Sequence, residues 1–324
     1  MMKDCSEVPS PILITGSHRS GTTWAGTILS SAPQTVLIRE PFSPLHRPGI
    51  FAKEIPHWYQ YLDTETGEAF VDSYREMLCF RYGFRREMKA IRSFKDVGRM
   101  VRDSFEMSRA RFGTSYKAIV KDPLALLSTK WIIDQFQSKA VILVRHPAAF
   151  VSSLKRVEWK MSFKNFIAQP ALMDAYLTPF RSEIERALEN PSSLITRGAL
   201  LWKILYSVVQ EHFSTHPGVR IVRHEDLSVN PLEQYEKLFQ WLGLAYTRAV
   251  VERINKYSSS QNPKEARGNK VFELKRNSAA SINLWKQKLS AEEIDTVFRI
   301  TAPVLEYYYP EIPSDYLSNP RDDE

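Results

Sequence analysis

The chain has 324 residues, and its 43% hydrophobic content is enough for one large domain, or two small ones, with a substantial core. The 44 Lys and Arg residues outnumber the 37 Asp and Glu residues, and the formal net charge of +7 suits an anionic ligand. This charge is spread along the chain, which argues against a nucleic-acid-binding protein. No stretch approaches the ~18 apolar residues that a membrane span needs.

The cellular location is predicted from three features. The N-terminus lacks an apolar signal region, and Met1 favours a soluble chain over one from which an anchor was removed. Two isolated cysteines, Cys5 and Cys79, fit a reducing compartment, and no Cys/His spacing indicates a metal site. We therefore expect a cytoplasmic protein without a membrane span and without a metal.

The first element predicted along the chain is a buried strand at 12–14, followed by a tight loop and a helix. The loop lies between Gly16 and Gly21. Its backbone N–H groups and the positive end of the helix would converge on one spot, which an anion such as phosphate can occupy. Arg19 adds a cation, and hydroxyl groups are supplied by Ser20, Thr22 and Thr23.

The two loop glycines have the spacing of the P-loop G-x-x-x-x-G-K-[ST], but Thr22 replaces its lysine and the cation is Arg19. The segment S-H-R-S-G-T-T-W instead closely resembles the 5′-phosphosulfate loop of sulfotransferases that use 3′-phosphoadenosine-5′-phosphosulfate (PAPS). The usual form of that loop is [KR]-S-G-T-T-[WL]. The resemblance implies that the cofactor is bound by His18, Arg19, Ser20, Gly21, Thr22, Thr23 and Trp24. A Gly/Ser-rich turn that binds nothing is the alternative.

A second strand is predicted at 35–38, and Glu40 follows it directly. A carboxylate at the carboxyl end of such a strand lies where parallel α/β sheets place their active groups. In carbohydrate and protein-tyrosine sulfotransferases a Glu at this position is the proposed general base, and the resemblance gives that role to Glu40. The alternatives are an ordinary capping or surface carboxylate, with His46 or His18 as the base.

Residues 43–115 form a long insertion that is rich in aromatic residues and arginine. Two amphipathic helices are predicted within it, at 68–89 and 94–112. Aromatic faces and guanidinium groups suit sugars that carry acidic groups, so we expect the insertion to recognise the acceptor. A helical cap over the sheet is the simpler alternative.

The third strand, at 116–120, ends in Lys121-Asp122-Pro123. This K-D-P triplet resembles the one in protein-tyrosine sulfotransferases, where the lysine lies near the transferred sulfuryl group. A lysine at the end of a strand can stabilise charge on the bridging oxygen as the bond breaks. The resemblance therefore makes Lys121 catalytic together with Glu40 and Arg19, and a solvated strand-end lysine is the alternative.

The most apolar strand is predicted at 140–144, and it leads into Arg145. Ser153 follows eight residues later, which is a strand end plus about two helical turns, so both side chains can reach one phosphate. The pattern V-I-L-V-R-H-P with its later serine resembles the 3′-phosphate site of the family. The resemblance assigns Arg145 and Ser153 to that phosphate, with Ser152 as an alternative.

The last predicted strand, at 219–223, precedes Glu225 and Asp226, which match family carboxylates that are structural. The polar, basic segment 255–281 is expected to close over the cofactor as a lid, with Arg267 as a weak match to the family pattern. A disordered linker is the alternative. The segment around Trp285 resembles one that returns to the cofactor in the family.

The order and spacing of these motifs identify the chain as a member of the PAPS-dependent sulfotransferases. The resemblance implies one α/β domain over 1–324, with a P-loop-like central parallel sheet of about five strands, flanking helices and a helical insertion. Its expected activity is transfer of the sulfuryl group from PAPS to a carbohydrate or glycolipid hydroxyl, leaving PAP. The alternatives are a protein-tyrosine or natural-product hydroxyl as acceptor, an ATP-using P-loop kinase, and a binding protein without turnover.

Overall fold

The architecture was obtained from a computed structural model, which describes residues 9–113, 116–159, 162–190, 193–263 and 277–312. It is an α/β fold, as the sequence predicts. None of the described helices is both long and apolar enough to cross a lipid bilayer.

Five strands form one parallel sheet in the order β2-β3-β1-β4-β5, which confirms the predicted sheet. The register pairs Ile12 with Ile119 and Thr35 with Lys117. Every residue of the first strand is buried, because its run of apolar side chains lies inside the sheet rather than at its edge. The strands are β1 (Ile12–Gly16), β2 (Thr35–Arg39), β3 (Lys117–Lys121), β4 (Lys139–Val144) and β5 (Val219–Arg223).

Helices occupy the connections between the strands and the C-terminal part of the described chain. Those before β4 are α1 (Thr22–Leu29), α2 (Glu68–Leu78), α3 (Phe84–Ala90), α4 (Phe94–Phe112) and α5 (Thr129–Phe136). Those after β4 are α6 (Pro147–Arg156), α7 (Lys164–Ile167), α8 (Pro170–Leu172), α9 (Arg181–Glu189), α10 (Leu194–Phe213), α11 (His224–Val229), α12 (Pro231–Leu242), α13 (Arg248–Ser258), α14 (Ser278–Ser281) and α15 (Ala291–Tyr308).

Contacts between residues divide the chain into two compact units. Unit 1 comprises the described parts of Met1–Gly16, Thr22–Val141 and Phe239–Val250. Unit 2 comprises the described parts of Ser17–Gly21, Ile142–Leu238 and Val251–Glu324. The organisation of 1–324 as one sulfotransferase domain stays a prediction.

In unit 1, helix α1 packs against strands β1 and β3. Unit 2 is built around α10, which buries twelve of its residues and packs against α6 and α15. Gly198 allows the close approach of α10 to α6, since a Cβ there would stand 3.2 Å from Leu154 and Val151. The broad apolar face of α10 therefore forms the core of unit 2.

The insertion differs from its predicted form in one helix. The predicted helix at 68–89 is wrong as a single element, because α2 ends at Leu78 and α3 begins only at Phe84. Between them the buried Phe80 adopts a left-handed conformation with φ 56°, which an α-helix cannot continue through. The helix predicted at 94–112 is confirmed as α4.

Cys79 directly follows α2 and is in a disulfide bond, which contradicts the expectation of two isolated thiols. Cys5 lies outside the described residues. The cysteines therefore give no support to a reducing compartment.

Arg47 links the two helices α3 and α4 of the insertion. Its guanidinium contacts the buried carboxylate of Glu87 on α3, through Nε at 2.6 Å. It also donates from Nη1 to the buried Asp103 of α4 at 2.9 Å. The second oxygen of Glu87 accepts the Gly49 N–H at 2.8 Å. One cation thus compensates two buried carboxylates from separate helices.

We predict that Arg47→Ala lowers the free energy of unfolding by about 3–5 kcal/mol, because it leaves the buried carboxylate of Glu87 without its counter-charge, while Asp103 keeps its ion pair with Arg102 at 2.7 Å. Urea unfolding followed by circular dichroism measures the effect. The matched control is Arg75→Ala, which removes an exposed ion pair with Asp72 and should cost below about 1 kcal/mol. Equal losses in the two variants would contradict the role of Arg47.

Candidate active site

The loop after β1 has the tight conformation that its glycines require. Gly16 and Gly21 have φ values of 138° and 100°, in the region that favours glycine. Arg19 is also left-handed, with φ 70°. Within the turn, the Ser20 N–H donates to the Ser17 carbonyl at 3.1 Å and the Ser20 hydroxyl donates to the same oxygen at 2.6 Å. The predicted loop is therefore held by its own backbone and by Ser20.

A tyrosine of α10 fixes the start of this loop. The hydroxyl of Tyr206 accepts the Ser17 N–H at 3.2 Å, lies 2.9 Å from the Ser17 hydroxyl, and donates to the Leu143 carbonyl at 2.8 Å. Burial raises the pKa of Tyr206 to about 12, so the group is a neutral hydroxyl at physiological pH. The sequence did not indicate this role, because Tyr206 lies within an apolar helix far along the chain.

Three residues that the sequence assigns to phosphate binding meet in unit 2. Arg19 donates from Nε to the Ser153 hydroxyl at 3.0 Å, and Arg145 donates from Nη1 to the Arg19 carbonyl at 2.9 Å. The Arg145 carbonyl in turn accepts the Trp202 indole N–H at 2.8 Å. The sequence predicts that Arg19 lies near the transferred sulfuryl group and that Ser153 binds the 3′-phosphate. The two side chains contact each other directly.

The guanidinium of Arg145 is not fully hydrogen-bonded. Its Nε–H is buried and has no acceptor among the described residues. The nearby carboxylate of Glu225 accepts instead from the His146 N–H at 3.1 Å and the Tyr309 hydroxyl at 2.8 Å. Burial lowers the pKa of Arg145 from its ordinary value, although the guanidinium stays protonated. A buried cation with an unused donor is suited to an anionic ligand.

Aromatic rings enclose His18 in the loop. Its ring lies 3.6 Å from that of Trp159 and 5.5 Å from that of Phe150, centroid to centroid. Burial, assisted by the adjacent Arg19, lowers the pKa of His18 to about 3. The imidazole is therefore neutral at physiological pH and packs as a ring beside the cation.

Gly21 lies against a histidine that the sequence did not single out. A Cβ at Gly21 would stand 2.5 Å from Nδ1 of His224, at the beginning of α11. Both this contact and the positive φ exclude a larger residue at Gly21. His224 also lies 3.4 Å from the Ser228 hydroxyl through Nε2.

Unit 1 carries a second cluster, at the ends of β2 and β3. Glu40 donates its N–H to the Lys121 carbonyl at 2.8 Å, and its carboxylate forms an ion pair with the Lys121 ammonium. Lys121 is 3% exposed, whereas the Glu40 side chain is 43% exposed. Gly26 on α1 leaves room for the lysine stem, since a Cβ there would stand 3.0 Å from its Cγ. The predicted base and the predicted cation are thus in direct contact.

Asp122 holds the backbone beside this pair. Its buried carboxylate accepts the Phe42 N–H at 2.5 Å and the Leu124 N–H at 2.9 Å. Burial raises the pKa of Asp122 to about 7. The side chain therefore fixes the turns after β2 and β3, while Lys121 and Glu40 remain beside each other at the strand ends.

The other predicted residues occupy three environments. Thr22 and Trp24 are buried in α1 of unit 1, and Thr23 is half-buried between them. Trp285 of unit 2 stacks on His146, with ring centroids 4.7 Å apart and an interplanar angle of 13°. Arg267, with residues 264–276 of the predicted lid at 255–281, lies outside the described residues.

The stacked rings border a pocket of about 410 Å³ in unit 2. Its lining residues are His146, Glu225, Ile282, Asn283, Trp285, Lys286, Phe298, Tyr309, Glu311 and Ile312. Across the described ranges, no group of three His, Cys, Asp or Glu side chains is arranged to hold a metal ion.

Comparison with known proteins decides the family. The model of the sulfotransferase family matches residues 11–248, which is most of the chain. The chain belongs to the sulfotransferase family. This sulfotransferase range contains all three predicted catalytic residues and every predicted cofactor-binding residue except Arg267 and Trp285.

The match to an individual sulfotransferase covers a shorter part of the chain than the family match does. It is 30% identical to carbohydrate sulfotransferase 1 of Danio rerio over 86 residues, which are 26% of this chain and 20% of that protein. The chain thus spans about a fifth of the length of that curated relative.

Two solved sulfotransferase structures are among those that resemble the chain. The sulfotransferase domain from the curacin biosynthetic pathway has a TM-score of 0.46 and 14% identity, covering 95% of this chain and 100% of that one. Mouse sulfotransferase SULT7A1, complexed with PAP, has a TM-score of 0.42 and 12% identity, with 93% and 89% covered.

We predict that this sulfotransferase loses stability in acid partly through His146. Burial, with Lys286 and Arg145 nearby, lowers the pKa of His146 to about 3 in the folded state, below its ordinary 6.5. As the pH falls, His146 therefore binds a proton in the unfolded chain before it does so in the folded protein. This difference lowers the free energy of unfolding by about 2 kcal/mol at pH 5.

Replacement His146→Phe keeps an aromatic ring and removes the titration. Its free energy of unfolding, measured in urea, should fall less than that of the wild type between pH 7 and pH 5. Measurement at pH 8, where His146 is neutral in both states, isolates the effect of packing. The same pH dependence in both proteins would be evidence against a buried neutral imidazole.

Proposed function

We propose that the protein transfers the sulfuryl group of PAPS to the hydroxyl of a carbohydrate or glycolipid, leaving PAP. The observation that carries this proposal is the buried, incompletely bonded guanidinium of Arg145, with Arg19 and Ser153 in the same hydrogen-bonded group. Membership of the sulfotransferase family supports the same chemistry.

The residues of unit 2 fit the phosphates of PAPS. Arg145 offers the free Nε–H and, with Ser153, would hold the 3′-phosphate. The loop from His18 to Gly21, continuing into Thr22 and Thr23, would hold the 5′-phosphate through N–H and hydroxyl groups. Since Arg19 occupies the Ser153 hydroxyl, we propose that binding exchanges this hydrogen bond for separate contacts to the ligand.

The ion pair of unit 1 supplies the proton transfer. PAPS, when bound, supplies a sulfuryl group that is activated by its bond to phosphate. Glu40, more exposed than its partner, takes the proton of the acceptor hydroxyl as that oxygen bonds to sulfur. Lys121 stabilises the negative charge that collects on the bridging oxygen when the sulfur–oxygen bond to phosphate breaks. Arg19 stabilises the group in transfer.

The acceptor is proposed from two observations. The base is a Glu, as in the carbohydrate and protein-tyrosine branches that the sequence resembles. The 86-residue match to carbohydrate sulfotransferase 1 supports the carbohydrate branch. Protein tyrosine and natural-product hydroxyls are the other acceptors to include in an assay.

An ATP-dependent kinase is the competing function. Its P-loop requires a lysine after the second glycine, for the β- and γ-phosphates. Thr22 occupies that position in this chain. The cation lies inside the loop instead, at Arg19, which favours the sulfotransferase.

We predict that Arg145→Gln weakens PAP binding at least about tenfold, because a hydrogen bond to a charged group contributes about 1.5–3 kcal/mol. Calorimetric titration with PAP, with AMP, which lacks the 3′-phosphate, and with ATP–magnesium measures the effect. The variant should lose the preference for PAP over AMP, while its affinity for AMP stays near that of the wild type.

The matched control for this titration is Arg156→Gln, an exposed cation at the end of α6, the helix that follows Arg145. It should keep the preference for PAP. An unchanged preference in Arg145→Gln would remove Arg145 from the phosphate site, and tighter binding of ATP–magnesium than of PAP would favour the kinase.

We predict that Glu40→Gln lowers kcat by about 10²–10⁴-fold, the usual contribution of a general base, and leaves the affinity for PAP unchanged. Labelled PAPS, tested against carbohydrates, glycolipids, tyrosine peptides and natural products, first identifies the acceptor. The exposed Glu54→Gln is the control. Near-normal turnover in Glu40→Gln would assign the base to another residue, such as His46.

A further inference from the structure

Helix α4 of the insertion exposes a continuous apolar stripe. The stripe recurs every three, four or seven residues and consists of Phe94, Val97, Val101, Phe105 and Phe112. Phe94 is 98% exposed and Phe112 is 74% exposed. The neighbouring α3 adds Phe84 and Met88, which are about half exposed. We call these seven side chains, together with the cations between them, the α3–α4 face.

This stripe is not the side of α4 that packs on the protein. The buried side chains of the helix are Met100, Asp103, Met107 and Ala110. They follow their own helical spacing, about half a turn from the stripe. Soluble proteins rarely expose a large continuous apolar patch, and such patches mark interaction surfaces. The second, exposed apolar side of α4 therefore indicates a binding surface.

Positive charge predominates on the α3–α4 face. Exposed cations in and between the two helices are Arg85, Arg86, Lys89, Arg92, Lys95, Arg99, Arg102 and Arg109. The four acidic residues of 84–112 are not exposed: Glu87 and Asp103 are buried, and Asp96 and Glu106 are half-buried. Arg47 draws Glu87 and Asp103 inward, and the part-exposed Asp96 pairs with Arg99 at 3.5 Å, so positive charge predominates beside the apolar stripe.

We propose that the α3–α4 face binds the surface of an anionic lipid bilayer. Aromatic and aliphatic side chains enter the boundary between headgroups and acyl chains, while the flanking Arg and Lys residues contact anionic headgroups. Charge decides between this partner and a second copy of the chain. Two copies meeting through this face would bring sixteen exposed cations together without exposed acids, which repels them.

The arrangement indicates binding along the membrane surface rather than insertion across it. The stripe occupies one side of α4, and the opposite side remains packed on unit 1. The proposal rests on this surface alone and does not depend on the reaction proposed above.

The test is co-sedimentation of the full chain with vesicles of phosphatidylcholine alone, or with about one third phosphatidylserine. The wild type should bind the anionic vesicles at least about tenfold more tightly, and added salt should weaken this binding. Phe94→Ser with Phe105→Ser, and separately Lys95→Gln with Arg99→Gln, should each lower the bound fraction several-fold.

The control pair is Leu232→Ser with Tyr307→Ser, which removes exposed apolar side chains of unit 2. It should bind vesicles like the wild type. Thermal unfolding of every variant checks that the fold is kept, as expected for exposed positions.

Four results would overturn the proposal. One is equal binding of the wild type to neutral and anionic vesicles, or no binding to either. Another is full binding by the Phe94 and Phe105 double variant. The third is a wild-type dimer in sedimentation that this double variant dissolves, which would make the face an interface between copies. Binding of a single-stranded oligonucleotide more tightly than vesicles would also count against it.

Discussion

The buried guanidinium of Arg145 is the constraint on which the described part of unit 2 depends. The backbone carbonyl of Arg145 accepts the indole N–H of Trp202, and its Nη1 donates to the loop carbonyl of Arg19. Its Nε–H has no acceptor among the described residues. Leaving a cation buried with an unused donor has a free-energy cost, which the surrounding packing must offset. We propose that an arriving phosphate removes that cost, so that this site would favour an anion over a neutral ligand.

Neighbouring polar residues of unit 1 have different partners. Both carboxylate oxygens of Asp122 accept hydrogen bonds from backbone N–H groups, and the side chain is buried away from solvent. Lys121, one residue earlier, instead pairs with the more exposed Glu40. The alternation of a strand explains this difference, because successive side chains point to opposite faces. One carboxylate therefore shapes the turns while the other remains accessible for chemistry.

The sequence predicted the five strands and most candidate residues because both are encoded locally. Apolar runs mark the strands, and the motifs place Glu40 and Arg145 directly after strands and Arg19 in the loop after β1. The break before α3 was missed because Phe80 leaves helical geometry for a buried position that only tertiary packing provides. Tyr206 and other partners of the loop were missed for the same reason, since they lie far along the chain, within segments that look like ordinary core.

The sharing of Arg47 by two helices has a consequence for how the protein can evolve. Because one half-buried cation fastens α3 and α4, their attachment is set by three inward side chains, Arg47, Glu87 and Asp103. Outward positions contribute little to that attachment, and substitutions there carry small stability effects. Substitutions on the outer surface of the insertion can therefore alter what that surface binds without loosening the attachment of α3 and α4.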